Sequence, residues 1–306
     1  MLKIGVIGLG NIAQKAYLPV MAGMQDQVEW ILCTRNNEKL QYLQQRYGFK
    51  KVVHSVTELL ELAPTAVFIH TPTETHAQLI EQFLQAGSHV YVDKPVSDDL
   101  AVVKHLYALA AAKKLLLTAG FNRRFAPMNQ RLQQIGPANV LLVQKNRIAA
   151  DQPVKFAVFD LMTHVVDTTL FLAGIETDAA LTCHYQVSTL QGNLDHCSLT
   201  LELPNMTAHA LMNMHAGANS ETAELQNIQG SYRVVDLNSF SKRSPEGEQI
   251  TTFPDWTPNL QRRGFEPLIK AFVAAVADPA HTNPVSPASS ILTHELCQKL
   301  VAASTS

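Results

Sequence analysis

The sequence predicts an α/β protein in two parts. An N-terminal doubly wound parallel sheet is followed by a C-terminal α+β domain with a largely antiparallel open sheet. Three observations carry this expectation. Short apolar runs alternate with helix-patterned segments from residue 2 to residue 121, the pattern of right-handed βαβ units. The first run leads at once into the glycine-rich GLGNIA at 8–13. After about residue 122 the alternation stops, and β-rich segments succeed one another across short polar turns, as in an antiparallel sheet. The boundary falls near residue 120, giving domains of 1–120 and 121–306.

Taken in order, LKIGVI (2–7) is the first strand, and NIAQKAYLPVMAGM (11–24) is a helix in which Pro19 marks a kink or early break. VEWILCT (28–34) is a strand, NEKLQYLQQRYG (37–48) a helix stopped by Gly48, and KVVH (51–54) a short strand. In SVTELLELA (55–63), Ser55 stands three residues before Glu58, the spacing of a capping box. AVFIHTP (66–72) is a buried strand halted at Pro72, and HAQLIEQFLQAG (76–87) an amphipathic helix closed by glycine. HVYVDKP (89–95) is the fifth strand, SDDLAVVKHLYALAAAKK (97–114) a helix capped by Ser97, and LLLTAGF (115–121) the sixth strand. The second part reads as a helix at 156–173, strands at 180–190, 194–203, 206–216, 224–231 and 232–238, then helices at 264–278 and 288–302.

Composition narrows the function. The chain of 306 residues has 24 Lys plus Arg against 26 Asp plus Glu, so its net charge of −2 gives no pull toward nucleic acid or anionic membrane. No segment approaches the ~18 uninterrupted apolar residues of a membrane helix. MLKIGVIGLG is interrupted by glycine too early for a secretory signal. Four scattered cysteines without a CxxC pair fit reduced thiols. The expectation is a soluble, cytoplasmic protein that handles a small molecule, with no nucleic-acid or membrane partner.

Gly8-Leu9-Gly10-Asn11-Ile12-Ala13 matches G-x-G-x-x-A between a strand and a helix, the context that identifies a dinucleotide-binding Rossmann turn. Gly8 and Gly10 let the backbone turn and approach a pyrophosphate, with Asn11 and Ile12 opening the helix on which it rests. An NAD site places Asp or Glu at the tip of the second strand to hold the ribose 2′-OH. Here Cys33-Thr34-Arg35-Asn36-Asn37 stands there instead. Thr34 and Arg35 suit a 2′-phosphate, so NADP is preferred over NAD. Thr71, Pro72 and His76 follow the fourth strand, and Asp93-Lys94-Pro95 ends the fifth, all at the carboxyl edge where open α/β sheets bind ligands.

The apolar FDLMTHVVD (159–167) holds Asp160, His164 and Asp167. At helical spacing they share one face within roughly 60°. A divalent-metal site, a buried structural network and a proton-transfer site all fit that arrangement. No further ligands at fixed spacing are present to close a metal shell, so no metal is expected.

Together, the glycine motif, TPxxxH after the fourth strand, DKP after the fifth and D-x-x-x-H-x-x-D early in the second domain resemble the Gfo/Idh/MocA oxidoreductase family. GFNRRFAP (120–127) and QRRGF (261–265) resemble its MviM-like branch. Asp93 stands where the family usually has Glu, and Met162 where many members have Gly. The resemblance implies that Lys94, Asp160 and His164 form the catalytic group, and that the C-terminal sheet builds a homodimer or homotetramer. Asn122 and Arg123, in the branch motif, join Asp160 and His164 as expected substrate contacts. Asp167 is expected to be structural, or to meet Arg123 or Arg124.

Proton transfer is the reading of FDLMTHVVD that this favours. Oxidation of an alcohol needs a base for the hydroxyl proton, and an imidazole with a pKa near 6.5 serves at neutral pH. Asp160 can orient that imidazole, and Lys94 can stabilise the developing alkoxide. The expected activity is hydride transfer between NAD(P) and a secondary alcohol or ketone of a sugar, polyol or related molecule. Two alternatives remain: a non-catalytic dinucleotide sensor, and an NAD-dependent redox-cycling lyase or glycosidase.

Overall fold

The computed structural model describes residues 1–178, 181–278 and 282–304. It divides into two compact units, one formed by Met1–Gly120 with Phe265–Pro287, the other by Phe121–Gly264 with Ala288–Ser306.

The first unit carries a six-stranded parallel sheet of β1 (Leu2–Ile7), β2 (Val28–Cys33), β3 (Lys51–Val53), β4 (Ala66–Ile69), β5 (His89–Val92) and β6 (Leu117–Ala119). Its order is β3-β2-β1-β4-β5-β6, the doubly wound dinucleotide-binding arrangement. All four residues of β4 and Val90, Tyr91 and Val92 of β5 are fully buried, as expected of central strands covered by helices on both faces. Local signals fix the helix ends. Ser55 Oγ accepts from Glu58 N at 3.1 Å while Glu58 Oε2 accepts from His54 N at 3.0 Å, a variant of the capping box in which the acid reaches the N–H just before the N-cap. Gly48 ends the helix Asn37–Tyr47 in the left-handed conformation.

Two expectations for this unit need correction. The helix after β5 spans Leu100–Ala112, and its N-cap is Asp99, which accepts from Ala101 N and Val102 N, rather than Ser97. Ser97 Oγ instead accepts from Asp99 N at 3.2 Å. A carboxylate there also meets the positive helix end, which a serine cannot match. The second correction concerns the domain boundary. The helix Phe265–Ala277 belongs to the first unit, although it was assigned with 121–306 to the second. Its Phe272 ring sits edge-on to Phe68 at 5.1 Å and Tyr91 at 5.5 Å. An amphipathic pattern marks a buried face without naming the core that receives it.

The second unit is built on β7 (Val140–Asn146), β8 (Thr182–Leu190), β9 (Asn193–Leu203), β10 (Met206–Asn213), β11 (Ser220–Asn227), β12 (Gly230–Val235), β13 (Ser239–Ser244) and β14 (Gly247–Thr252). The order is β14-β13-β12-β11-β7-β10-β9-β8, with β7 and β10 parallel and the other neighbours antiparallel. The central β7 and the hairpin β13–β14 were not among the expected strands, and the expected break at 231/232 lies inside β12. Of the expected strand at 180–190, residue 180 lies outside the described residues.

The helix Val154–Ala173 packs over β7 and β10. It is long and apolar enough to cross a bilayer by length and composition, yet 67% of its most apolar stretch is buried in protein. Val165, Val166 and Leu170 join Leu141 and Val143 of β7 and Ala208, Ala210 and Met212 of β10 in one core. Burying each large aliphatic side chain there contributes about 1.5–3 kcal/mol. Along β7 the odd-numbered residues face this core, leaving Leu142 on the opposite face, 39% exposed.

Candidate active site

In the first unit, β1 ends at Ile7 and the chain turns through Gly8, whose φ is +86°. A Cβ at Gly8 would lie 2.4 Å from the His70 carbonyl carbon, so the turn requires glycine twice over, by φ and by approach. A Cβ at Gly10 would meet no protein atom within 4 Å. The helical turns from residue 11 leave Asn11 and Ile12 exposed. A cavity of about 540 Å³ lies beside Gly8, lined among others by Thr34, Arg35, Ser55, Thr71 and Pro72. Open space at Gly10 and a cavity between the tips of β2 and β4 fit a dinucleotide. Gly8, Gly10, Asn11 and Ile12 would face its pyrophosphate, and Thr34 and Arg35 its adenosine ribose.

His76 is used differently from the other expected cofactor contacts. Its buried ring lies between two backbone carbonyls, Nδ1 2.8 Å from Pro95 O and Nε2 2.8 Å from Thr71 O. It thereby ties the loop after β4 to the loop after β5. Burial lowers its pKa, and the two carbonyls oppose that shift without reversing it. The TPxxxH spacing is explained: the histidine that opens the next helix holds the ligand edge in shape.

Asp93 and Lys94 follow β5, and the Lys94–Pro95 peptide is cis. Both Asp93 oxygens are engaged, Oδ1 by the Tyr17 hydroxyl at 2.7 Å and Oδ2 by His70 Nδ1 at 3.1 Å. Tyr17 also packs against the His70 ring at a tilt of 36° with centroids 3.9 Å apart, and its hydroxyl lies 3.0 Å from that of Tyr91. Burial alone would raise the Asp93 carboxyl. The His70 hydrogen bond and charge, then Tyr17 and Lys94, outweigh burial and hold it below its ordinary value. Burial and the Asp93 charge push the Tyr17 hydroxyl well up. This cluster anchors the residue immediately before Lys94. Tyr17 and His70 were not among the expected site residues; the available signal was a histidine closing the buried run AVFI.

In the second unit, Asp160 and His164 lie on the helix Val154–Ala173, His164 buried and Asp160 half-buried. Residues Val158–Met162 form a π-helical turn within it. Such widened turns are rare and recur at functional sites. Asp167 is fully buried and gripped by Arg124, which donates from Nη2 at 2.6 Å and from Nε at 3.0 Å to each oxygen. Arg124 also donates to Ser289 Oγ at 2.7 Å. The third polar residue of FDLMTHVVD is thus structural, as expected. Arg123 turns the other way and pairs through Nε and Nη2 with both oxygens of Glu221, which also accepts from Lys145 Nζ at 2.7 Å. Asn122 Nδ2 donates to Arg263 O at 2.8 Å. Gly264, with φ +80°, lies against that turn, where a Cβ would meet Asn122 O at 2.1 Å. The motifs GFNRRFAP and QRRGF therefore interlock. Asn122 and Arg123 are committed to partners within the domain. Among the described residues no group of three or more His, Cys, Asp or Glu could hold a metal ion.

Fold and motifs together define an oxidoreductase with a dinucleotide-binding domain. Residues 2–121 match the oxidoreductase family with an NAD-binding Rossmann fold, and residues 127–244 match the YceM-like C-terminal domain. The chain belongs to the Gfo/Idh/MocA oxidoreductase family. It is 34% identical to YceM of Salmonella typhimurium over 90% of this chain and 89% of that one. It is 32% identical to UDP-N-acetylglucosamine 3-dehydrogenase of Acidithiobacillus ferrooxidans, over 57% of this chain and 55% of that one. The crystal structure of an MviM dehydrogenase from Clostridium difficile superposes with a TM-score of 0.92 at 26% identity, covering 99% of both chains.

Proposed function

We propose that the protein transfers a hydride between a nicotinamide dinucleotide, NADP in preference to NAD, and a secondary alcohol or ketone of a sugar, polyol or related small molecule. The observation that supports this most is the anchoring of Lys94. The residue before it is pinned by Tyr17 and His70, the loop after it by His76, and it follows β5 at the ligand edge of the sheet. Rigid delivery of a cation to that edge serves chemistry rather than solvation.

The bound dinucleotide supplies the hydride acceptor or donor. The chain's own groups supply the rest. Lys94 donates a hydrogen bond to the reacting oxygen and stabilises negative charge as it develops. His164 takes the hydroxyl proton, or returns it in the reductive direction. Asp160 orients that imidazole or a neighbouring hydroxyl. Thr34 and Arg35 read the 2′-phosphate, a role Arg suits because its planar fork binds oxyanions in a bidentate manner. Cys33 and Cys197 take no part, since burial pushes their thiols up to about 11 and about 12. A relative that is a UDP-N-acetylglucosamine 3-dehydrogenase supports a sugar-like substrate. We place the enzyme in the cytoplasm as a homodimer or homotetramer, joined through the outer face of the C-terminal sheet.

The test is a titration of the purified protein with NADP(H) and NAD(H), followed by a turnover screen over sugars and polyols read at the nicotinamide absorbance. Saturable dinucleotide binding with turnover of one of these classes is expected. Binding without turnover across the whole panel would favour a dinucleotide sensor.

A further inference from the structure

A second cavity is lined wholly by residues of the C-terminal unit. Its volume is about 220 Å³, and its charged lining is Lys145, Arg147, Glu221, Asp236 and Arg263. Three cations thus face two carboxylates. One of the two, Glu221, is already held by Arg123 and Lys145, so positive charge is in excess in the lining. Burial would raise Glu221, but Arg123 and Lys145 bind both its oxygens and hold it well below the carboxylate range. Asp236 Oδ1 accepts from the Glu221 backbone N–H at 2.8 Å.

That leaves Arg147 and Arg263. The Arg147 Nε is shielded from solvent and meets no acceptor among the described residues. Neither arginine makes a side-chain ion pair among the described residues. A buried guanidinium nitrogen without an acceptor is costly in an isolated protein, and an incoming oxyanion removes that cost. Strand parity fixes the side of the sheet. Lys145 shares the face of Leu141 and Val143, and Glu221 that of Ala223 and Leu225. These are the core residues beneath the helix that carries Asp160 and His164. The bridging turn Arg123–Arg124 binds Glu221 with one guanidinium and Asp167 of that helix with the next.

We propose that this cavity is an oxyanion subsite, in which Lys145, Arg147 and Arg263 hold a phosphate or carboxylate group borne by the substrate. The inference rests on the oxidoreductase reading for the word substrate, while the site itself rests on the cavity alone. Its size matches a subsite rather than a whole binding pocket, since small-molecule sites occupy ~300–1,000 Å³. The substrate class narrows accordingly to sugar or polyol phosphates and sugar acids. Arg147 and Arg263 act as specificity-determining residues, and the buried Arg123–Glu221–Lys145 network holds the floor in place.

The test uses the full chain without dinucleotide. Inorganic phosphate is titrated by calorimetry at low ionic strength into the parent and into a double variant, Arg147→Gln with Arg263→Gln. Saturable binding is expected in the parent, weakened by about tenfold or more in the variant, since each lost bond joins two charged groups. The thermal midpoint should not fall and dinucleotide affinity should be unchanged, because neither arginine makes a side-chain ion pair among the described residues. A companion variant, Arg147→Lys with Arg263→Lys, should keep part of the affinity if charge is what is read. Absence of saturable phosphate binding in the parent, or equal binding in parent and double variant, overturns the proposal. So does a turnover screen in which neutral polyols are used as well as their phosphorylated and carboxylated forms. That last result would leave the oxidoreductase reading intact. Phosphate binding with no turnover of any substrate would do the reverse.

Discussion

Arg124 and Asp167 are joined by three hydrogen bonds inside the C-terminal domain, the shortest 2.6 Å from Nη2 to Oδ1. Asp167 is 1% exposed. Burial pushes its carboxyl up, and Arg124 offsets only part of that. A charge taken so far out of water depends on its partner. Arg124→Met should therefore cost about 3–5 kcal/mol by stranding Asp167. The double variant Arg124→Met with Asp167→Leu should recover much of the loss, because two apolar groups leave no buried charge behind. Urea denaturation of the three proteins measures both steps, and a double variant as unstable as the single one would contradict this account.

A second cluster ties stability to pH. His215 Nδ1 lies 2.8 Å from Asp195 Oδ1 and its Nε2 3.0 Å from Asp151 Oδ1, while His196 Nδ1 lies 2.8 Å from Asp195 Oδ2. The two carboxylates raise the His215 pKa, and the two imidazoles lower that of Asp195. A raised histidine stabilises the fold fully below its unfolded value of about 6.5 and loses that contribution as pH climbs through the folded value. The depressed Asp195 contributes above about pH 4 and is lost as pH falls through its folded value. The clamp is strongest between these limits. The thermal midpoint should decline from pH 6 toward pH 8, and His215→Asn should flatten that decline. An unchanged slope in the variant would place the pH dependence elsewhere.

Cofactor choice turns on the tip of β2. Thr34 and Arg35 line the cavity, with no carboxylate between Cys33 and Asn37. Arg35→Ala should weaken NADP(H) by about tenfold or more, the scale of a lost bond between charged groups, and leave NAD(H) nearly unchanged. Fluorescence titration of both reduced cofactors reads this directly. Tighter binding of NADH than NADPH by the parent would reverse the assignment.

The outer face of the C-terminal sheet supplies a test of assembly. Leu142 and Leu211 are 39% and 36% exposed on the neighbouring strands β7 and β10, beside His209 and Thr200. Charges that would solvate such a face are sparse there. Leu142→Lys with Leu211→Lys should convert a dimer or tetramer to smaller species in sedimentation velocity. A parent protein that is monomeric at all concentrations would remove the proposal.

What the sequence disclosed depended on whether the signal was local. GLGNIA, the Ser55–Glu58 capping box, Gly48 and the strand-end motifs each act through neighbours in the chain, so a linear reading finds them. Ser97 misled because Asp99, two residues on, competes for the same helix end. Strand β7 was missed because VLLVQKN ends in polar residues, and Lys145 faces inward only because Glu221, 76 residues away, receives it. The hairpin β13–β14 reads as loop because most of SFSKRSPEGEQITT is polar or flanks Pro and Gly. In the site, Asp160, His164 and Asp167 stood out as polar residues in an apolar run. His70 and Tyr17 did not, since their purpose is set by Asp93 in a different strand end. Contacts made across the sheet leave no periodicity to read.

The remaining prediction separates an enzyme from a sensor. Lys94→Ala and His164→Ala should each lose turnover by roughly 10²-fold or more, the scale of a positioned acid–base group. Dinucleotide affinity should change far less, because the Gly8–Gly10 turn and the β2 tip carry most of that binding. Oxidation needs a neutral imidazole, so kcat/KM should fall on the acid side as His164 becomes protonated, and that limb should vanish in His164→Ala. Asp93→Asn and His70→Ala extend the test to the groups that anchor the residue before Lys94. They should reduce turnover and alter its pH profile while retaining dinucleotide binding, with Asp93→Glu restoring part of the rate. If a substrate is found and both Lys94→Ala and His164→Ala turn it over at the parent rate, proton transfer is excluded for these residues. Asp160 and His164 would then join Asp167 as parts of a buried network, and the anchoring of Lys94 would need another explanation.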